Sequence, residues 1–225
     1  VKRQIGESGR SDIKGVAREI QKLRTEFMAE WGPRLTSDEV PISPYRVIGE
    51  LAKTVDVAET IITHDSGYPR DQMVPFWKPT VPHGYIGWGK STQLGYGLGL
   101  AIGSKLAAPE KQVINVMGDA AFGMSGMDVE TAVRSQIGIL TVILKNSVMT
   151  HYSHNLGYAA ERWGSHKLSG EYAQIAAGLG AHAQQVDTPD QIAPAIRKAM
   201  AANQEGIPAV LEIITKEELD VPKFW

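Results

Sequence analysis

The chain carries two hydrophobic rhythms. Short runs at 60–63, 112–117, 139–144, 181–186 and 209–214 read as strands; all but 181–186 are rich in β-branched residues, and the mostly apolar ones suit burial on both faces. Between them apolar residues recur every three or four positions, the period of an amphipathic helix. Tyr45, Ile48, Leu51 and Ala52 mark one helix, with Ser43 as its cap and Pro44 in its first turn. Others fall at 91–108, at 127–136, at 172–179 and from a Thr188-Pro189 cap to Asn203. Upstream, Ile13, Val16, Ile20, Leu23, Phe27 and Trp31 share one helical face, and Gly32-Pro33 ends it. Residues 78–89 show neither period and read as loop. Strand alternating with helix predicts an α/β fold: a doubly wound, mainly parallel sheet of five to six strands with helices on both faces. The expected division is a connecting helical segment over 1–40 and one domain over 41–225.

Polar residues cluster where two of these strands stop. The run Gln112–Met117 ends at Gly118-Asp119, and small residues follow: Ala120, Ala121, Gly123, Ser125 and Gly126. The run 139–144 ends at Lys145-Asn146. In a strand–helix–strand unit with parallel strands, Asp119 and Asn146 both sit at carboxyl ends, where open α/β sheets bind ligands. Two oxygen side chains there suit a hard cation such as Mg²⁺, which takes few protein ligands and completes its octahedron with water and phosphate oxygens. Small residues let backbone N–H groups approach a diphosphate. The same Gly-Asp dipeptide also reads as an ordinary βα turn with the aspartate as a helix cap.

Composition removes several alternatives. The net charge of −2, without a basic block, gives no electrostatic support for nucleic-acid binding. The absence of cysteine excludes disulfides, thiolate metal sites and thiol catalysis. No apolar run is long enough to span a membrane. The opening VKRQIGESGR carries neither an initiator Met nor a signal-like apolar stretch, and reads as the interior of a longer polypeptide or a processed end. A cytoplasmic location is expected. His151 and His154 fall in a segment, 149–167, without clear periodicity, and no zinc pattern forms around them. A nicotinamide-type site needs Gly-x-Gly-x-x-Gly after the first strand, and Gly95, Gly97 and Gly99 instead lie in a helical segment.

The spaced pair of motifs resembles the thiamine diphosphate motif of the acetolactate synthase and 2-oxo acid decarboxylase superfamily, in which Gly-Asp-Gly is followed at a fixed distance by Asn-Asn. Here it stands as Gly118-Asp119-Ala120 and Lys145-Asn146, and the Asp119-to-Asn146 offset matches. The resemblance covers about residues 40–215, the diphosphate-binding domain of such enzymes. It implies Asp119 and Asn146 as side-chain ligands of Mg²⁺, the Val148 carbonyl as a third, and Gly118, Ala120 and Ala121 around the diphosphate. It also implies Leu94 as the apolar wedge beneath the bent cofactor and the Thr92 carbonyl as acceptor for its 4′-amino group. Arg70, in the turn HDSGYPRDQM, is a candidate phosphate contact, because a guanidinium suits bidentate pairing. His64 and Asp65 are candidate pocket residues, and His151 or Tyr152 are candidates to line it.

Two departures stand out. Ala120 replaces the third Gly and requires a negative φ. Lys145 replaces the first Asn, and a lysine beside Mg²⁺ is unfavourable, so it is expected to point away. The resemblance further implies thiamine diphosphate and Mg²⁺ as cofactors, a 2-oxo acid substrate, and decarboxylation or carboligation. The catalytic glutamate is expected on a pyrimidine-binding domain or subunit, and assembly as a homo-oligomer, dimer or tetramer. The alternative is a non-catalytic binding or assembly module that keeps the fold.

Overall fold

Six strands lie side by side, four of them on β-branched runs, in a computed structural model that describes residues 13–89 and 93–222. In chain order the strands are β1 (Thr60–His64), β2 (Tyr85–Ile86), β3 (Gln112–Gly118), β4 (Leu140–Lys145), β5 (His182–Val186) and β6 (Ala209–Ile214). They pair in the order β2-β1-β3-β4-β6-β5, and every pairing is parallel. The helices are α1 (Ile13–Trp31), α2 (Pro44–Thr54), α3 (Tyr68–Met73), α4 (Tyr96–Ala107), α5 (Asp119–Ser125), α6 (Asp128–Arg134), α7 (Tyr152–Asn155), α8 (Tyr158–Trp163), α9 (Tyr172–Gly178) and α10 (Pro189–Gln204). No helix among the described residues is long and apolar enough to cross a membrane.

The sheet is covered on both faces because successive side chains of a strand point to opposite sides. Ile114 and Val116 of β3 join Val142, Leu211 and Ile213 in one core, closed by Tyr45, Ile48 and Leu51 of α2 and Ile192 and Ile196 of α10. Val113 and Met117 of the same strand join Ile143 and Val210 in the other, closed by Leu98 of α4, Phe122 of α5, Val129 of α6 and Tyr172 of α9. Strand β5, at the sheet's edge, is only partly buried until Val186.

Several elements differ from the periodicity reading. Residues 78–89 contain the edge strand β2, two residues long, which pairs Tyr85 with Ile62. Residues 119–125 form a helix of their own, and 149–167 contains α7 and α8. Helix α4 begins at Tyr96 rather than at 91. Ser43 and Thr188 occupy their helix-start positions with extended backbones, but neither side chain makes a capping bond. The Ser43 hydroxyl is instead buried without a partner. Along α1, only the second half docks: Trp31 packs edge-on against Tyr45, and Phe27 lies against Phe76, while Ile20 and Leu23 stay exposed.

The strand order contains a reversal that matters for the site. From β1 the chain moves outward to β2, returns to β3 on the other flank of β1, and then continues away to β4. The carboxyl ends of β1 and β3 thus diverge around a crevice, the place where an open parallel sheet accepts ligands.

Candidate functional site

A cavity of about 220 Å³ opens at this crevice. The turn after β1 contributes Ser66, Gly67, Tyr68, Pro69 and Arg70; the β3–α5 junction contributes Gly118, Asp119, Ala120 and Ala121; the segment after β4 contributes Asn146, Val148, Met149 and Thr150. Leu94 forms part of the wall. The residues expected to hold the metal and diphosphate, together with Leu94 and Arg70, therefore border one cavity, whereas Thr92 lies outside the described residues.

Asp119 is held by its neighbours on both sides. Its Oδ1 accepts the Ala120 N–H at 2.9 Å, and its Oδ2 accepts the Ser147 N–H at 2.7 Å across the β3–β4 gap. The register that pairs Gly118 with Leu144 makes this bond possible, because it brings the two strand ends level. Burial pushes the Asp119 carboxyl above its ordinary range, against the opposing pull of these N–H donors and of the more distant Lys145 charge. A desolvated carboxylate facing a cavity is a site that a cation would stabilise.

Asn146 is oriented by two bonds: its Nδ2 donates to Thr150 Oγ1 at 2.7 Å, and its Oδ1 accepts the Val148 N–H at 3.1 Å. Between them Ser147 takes φ +61°, a left-handed conformation rare for a non-glycine residue. Such strain persists where the surroundings over-determine it, and it clusters at ligand sites. Ala120 lies within α5 and is not among the positive-φ residues, so alanine is tolerated where a glycine would be optional. Gly67, by contrast, sits at φ +87°, which requires glycine.

The donor set suits a small hard divalent ion. One carboxylate, one amide oxygen and one backbone carbonyl provide oxygen ligands only, which is the preference of Mg²⁺. Among the described residues no cluster of three or more His, Cys, Asp or Glu could hold a metal, so a thiolate or multi-histidine centre has no counterpart here. Gly118 borders the cavity, and a Cβ there would meet Pro69 only at ordinary contact distance, 3.7 Å.

Other candidates turn elsewhere. Arg70 borders the cavity, but its Nε and Nη2 form a fork on Asp71 at 2.8 and 3.0 Å, and Nη1 reaches the Gly89 carbonyl. His64 and Asp65 do not border the cavity. His64 is buried against the Tyr85 ring, its Nδ1 lies 3.0 Å from the Asp65 carbonyl, and burial lowers its basicity. Asp65 accepts the N–H groups of Ser66, Gly95 and Gly97, which tethers the start of α4 to the end of β1. Lys145 turns away from the cavity to Glu212, at 2.6 Å. Tyr152 borders the cavity and His151 does not.

Several bordering residues escaped the sequence reading, among them Leu144, Met149, Thr150, Thr215 and Lys216. Thr215 and Lys216 follow β6. Their signal was available, since they occupy the carboxyl end of a parallel strand beside β4.

Comparison with known proteins bears on the family and the fold. Residues 65–213 match the family profile described as thiamine pyrophosphate enzyme, C-terminal TPP binding domain. The chain is 30% identical, over 96% of its length, to a probable acetolactate synthase of Mycobacterium bovis, of which it covers 39%. It is 29% identical, over 85% of its length, to a sulfoacetaldehyde acetyltransferase of Alcaligenes xylosoxydans xylosoxydans, of which it covers 32%. The solved Rhodococcus jostii RHA1 thiamine diphosphate-dependent 4-hydroxybenzoylformate decarboxylase shares the fold, with TM-score 0.71 at 22% identity over 82% of this chain and 34% of that chain. The chain thus spans about two-fifths or less of the length of these proteins.

Proposed function

Since this chain belongs to the thiamine pyrophosphate enzyme family, as its C-terminal TPP binding domain, we propose that the cavity holds the cofactor's diphosphate through Mg²⁺. On this reading the chain supplies one half of an active site that acts on a 2-oxo acid. The observation that carries it is the convergence of Asp119 and Asn146, from different strands, on one cavity with a desolvated carboxylate at its wall.

The roles follow from the chemistry of the side chains. Asp119 and Asn146 would hold the ion through side-chain oxygens, and Val148 through its carbonyl. Asp119 supplies the negative charge, and the Ser147 N–H ties that carboxylate to the turn after Asn146. The backbone at Gly118, Ala120 and Ala121 leaves room for phosphate oxygens. Leu94, Leu144 and Met149 give the cavity apolar wall, which limits water around the reacting end. When bound, the cofactor supplies a nucleophilic carbon and an electron sink for breaking or forming the bond beside a 2-oxo group.

The complete assembly on this reading is a cytoplasmic homo-oligomer, dimer or tetramer, in which a pyrimidine-binding domain or subunit brings the activating glutamate. Decarboxylation or carboligation of a 2-oxo acid is the activity. Titration calorimetry of the assembled protein with thiamine diphosphate tests the binding half. Binding is expected with Mg²⁺ and is expected to vanish with a chelator. Equal binding with and without the metal would refute the ion's role. Release of CO₂ from a panel of 2-oxo acids tests the reaction, and its absence across the panel, with cofactor bound, would refute the activity.

A further inference from the structure

The residue before Asn146 is a lysine whose charge is used on the far side of the strand. Side chains alternate along β4, so Leu144 borders the cavity and Lys145 leaves on the other face. Its ammonium pairs with Glu212 at 2.6 Å, donates to the Gly170 carbonyl, and lies 3.7 Å from Glu171. Glu212, on β6, has a fully buried side chain, and its second oxygen accepts the Ala173 N–H at the start of α9. Taking a lysine and a glutamate out of water is unfavourable unless each is paired and hydrogen-bonded. The two charges pair with each other, Lys145 also donates to Gly170 and Glu212 Oε2 accepts from Ala173, while Glu212 Oε1 has the ion contact alone; together these contacts fasten three elements: the end of β4, the middle of β6 and the segment 169–173.

That segment also grips the strained turn. The Leu168 N–H donates to the Ser147 carbonyl at 2.8 Å, and Val148 forms a bridge with Lys167. Lys145 therefore anchors, through Gly170, the strand of chain that covers Ser147 from the carbonyl side. Ser147 in turn presents its N–H to Asp119 on the other side. The chain thus closes a ring: Lys145 to Gly170, back through Leu168 to Ser147, and from Ser147 to Asp119.

We propose that Lys145 is a positioning residue for the cation site: its buried bonds to Glu212 and Gly170 hold the Asn146–Val148 turn in the conformation that aligns Asn146 and Asp119. This rests on the reading that Asp119 and Asn146 hold the divalent ion. The lysine touches neither the ion nor the cofactor.

The test compares the assembled parent protein with Lys145→Met and with Lys145→Met combined with Glu212→Leu. The single variant leaves a carboxylate buried and unpaired and is at risk of misfolding, whereas the double variant removes both charges together. Two quantities are read on folded protein. One is amide hydrogen exchange of the peptide spanning 146–150, by mass spectrometry without metal or cofactor. The other is the Mg²⁺ dissociation constant at saturating thiamine diphosphate. In the double variant, exchange is expected to rise at least 10-fold at 146–150 and Mg²⁺ affinity to fall at least 10-fold, with the melting temperature close to that of the parent. Parent-like exchange and Mg²⁺ affinity within 2-fold, in folded double variant, would overturn the proposal. Asp119→Ala separates the two readings. If that variant leaves Mg²⁺ binding unchanged, the cation site itself is misassigned, while the exchange measurement still decides whether Lys145 orders the turn.

Discussion

Asp65 and Asp119 each follow a strand of the same parallel sheet, on neighbouring strands, and their carboxylates do different things. Asp65 is fully buried and takes three backbone N–H groups, two of them from the start of α4. It does not border the cavity, and its hydrogen bonds account for its burial as a structural tether. Asp119 takes two N–H groups, borders the cavity, and has its carboxyl pushed up by burial. The comparison teaches that the residue type and its place after a strand do not decide the role. What decides it is whether the charge is fully matched within the protein or left facing a space that a ligand could enter.

The largest expected effect separates the two aspartates. Asp119→Ala is expected to weaken Mg²⁺-dependent cofactor binding by at least about 100-fold, or about 2.7 kcal/mol, with little change in melting temperature. Asp65→Ala is expected to do the reverse. It strands N–H donors at the start of α4 and lowers stability by about 3 kcal/mol, measurable by denaturant unfolding. If both variants lost stability equally and Asp119→Ala kept full affinity, the contrast would be wrong.

Gly97 offers a sharper probe of the tether alone. A Cβ there would lie 2.6 Å from Asn115 Oδ1 and 3.0 Å from an Asp65 oxygen. Gly97→Ala should destabilise by about 1–3 kcal/mol, seen as a lower denaturation midpoint.

A pH titration sharpens the other side. The folded value of Asp119 lies above its unfolded one, so folding favours the protonated form. Without metal, this group's contribution to stability is greatest below the ordinary aspartate range and declines as pH rises through the shifted value. Asp119→Asn should remove that slope, so the variant gains on the parent as pH rises across the window. Mg²⁺ competes with the same proton, and parent affinity should therefore fall as pH drops through it. Parallel stability profiles for the two proteins would contradict the assignment.

The smallest effect concerns Ser147, at φ +61°. Ser147→Gly should relieve left-handed strain and change stability by no more than about 1 kcal/mol. Its looser turn should still weaken the Asp119 contact, visible as faster exchange of the residue 147 amide.

Much of the architecture was legible because β-branched runs announce buried strands, and four of the six strands fall on such runs, while β5 was legible from its place in the strand–helix alternation. Strand β2 was hidden because two residues carry no period. Helix α5 was hidden because Gly123 and Ser125 dilute any apolar stripe; it docks by packing Phe122 edge-on against Tyr172. The cavity wall was legible where spacing linked two strand ends, at Asp119 and Asn146. It was illegible where direction matters: nothing in the residue order says that Asp65 turns inward to α4, that Arg70 lays its fork on Asp71, or that Lys145 reaches Glu212. Those outcomes depend on partners distant along the chain.

The most direct test is a crystal structure of the assembled protein with thiamine diphosphate and Mn²⁺ in place of Mg²⁺, read by anomalous scattering. The account predicts one manganese peak bonded to an Asp119 carboxylate oxygen, to Asn146 Oδ1 and to the diphosphate. A cofactor bound with its metal away from these two side chains would contradict it.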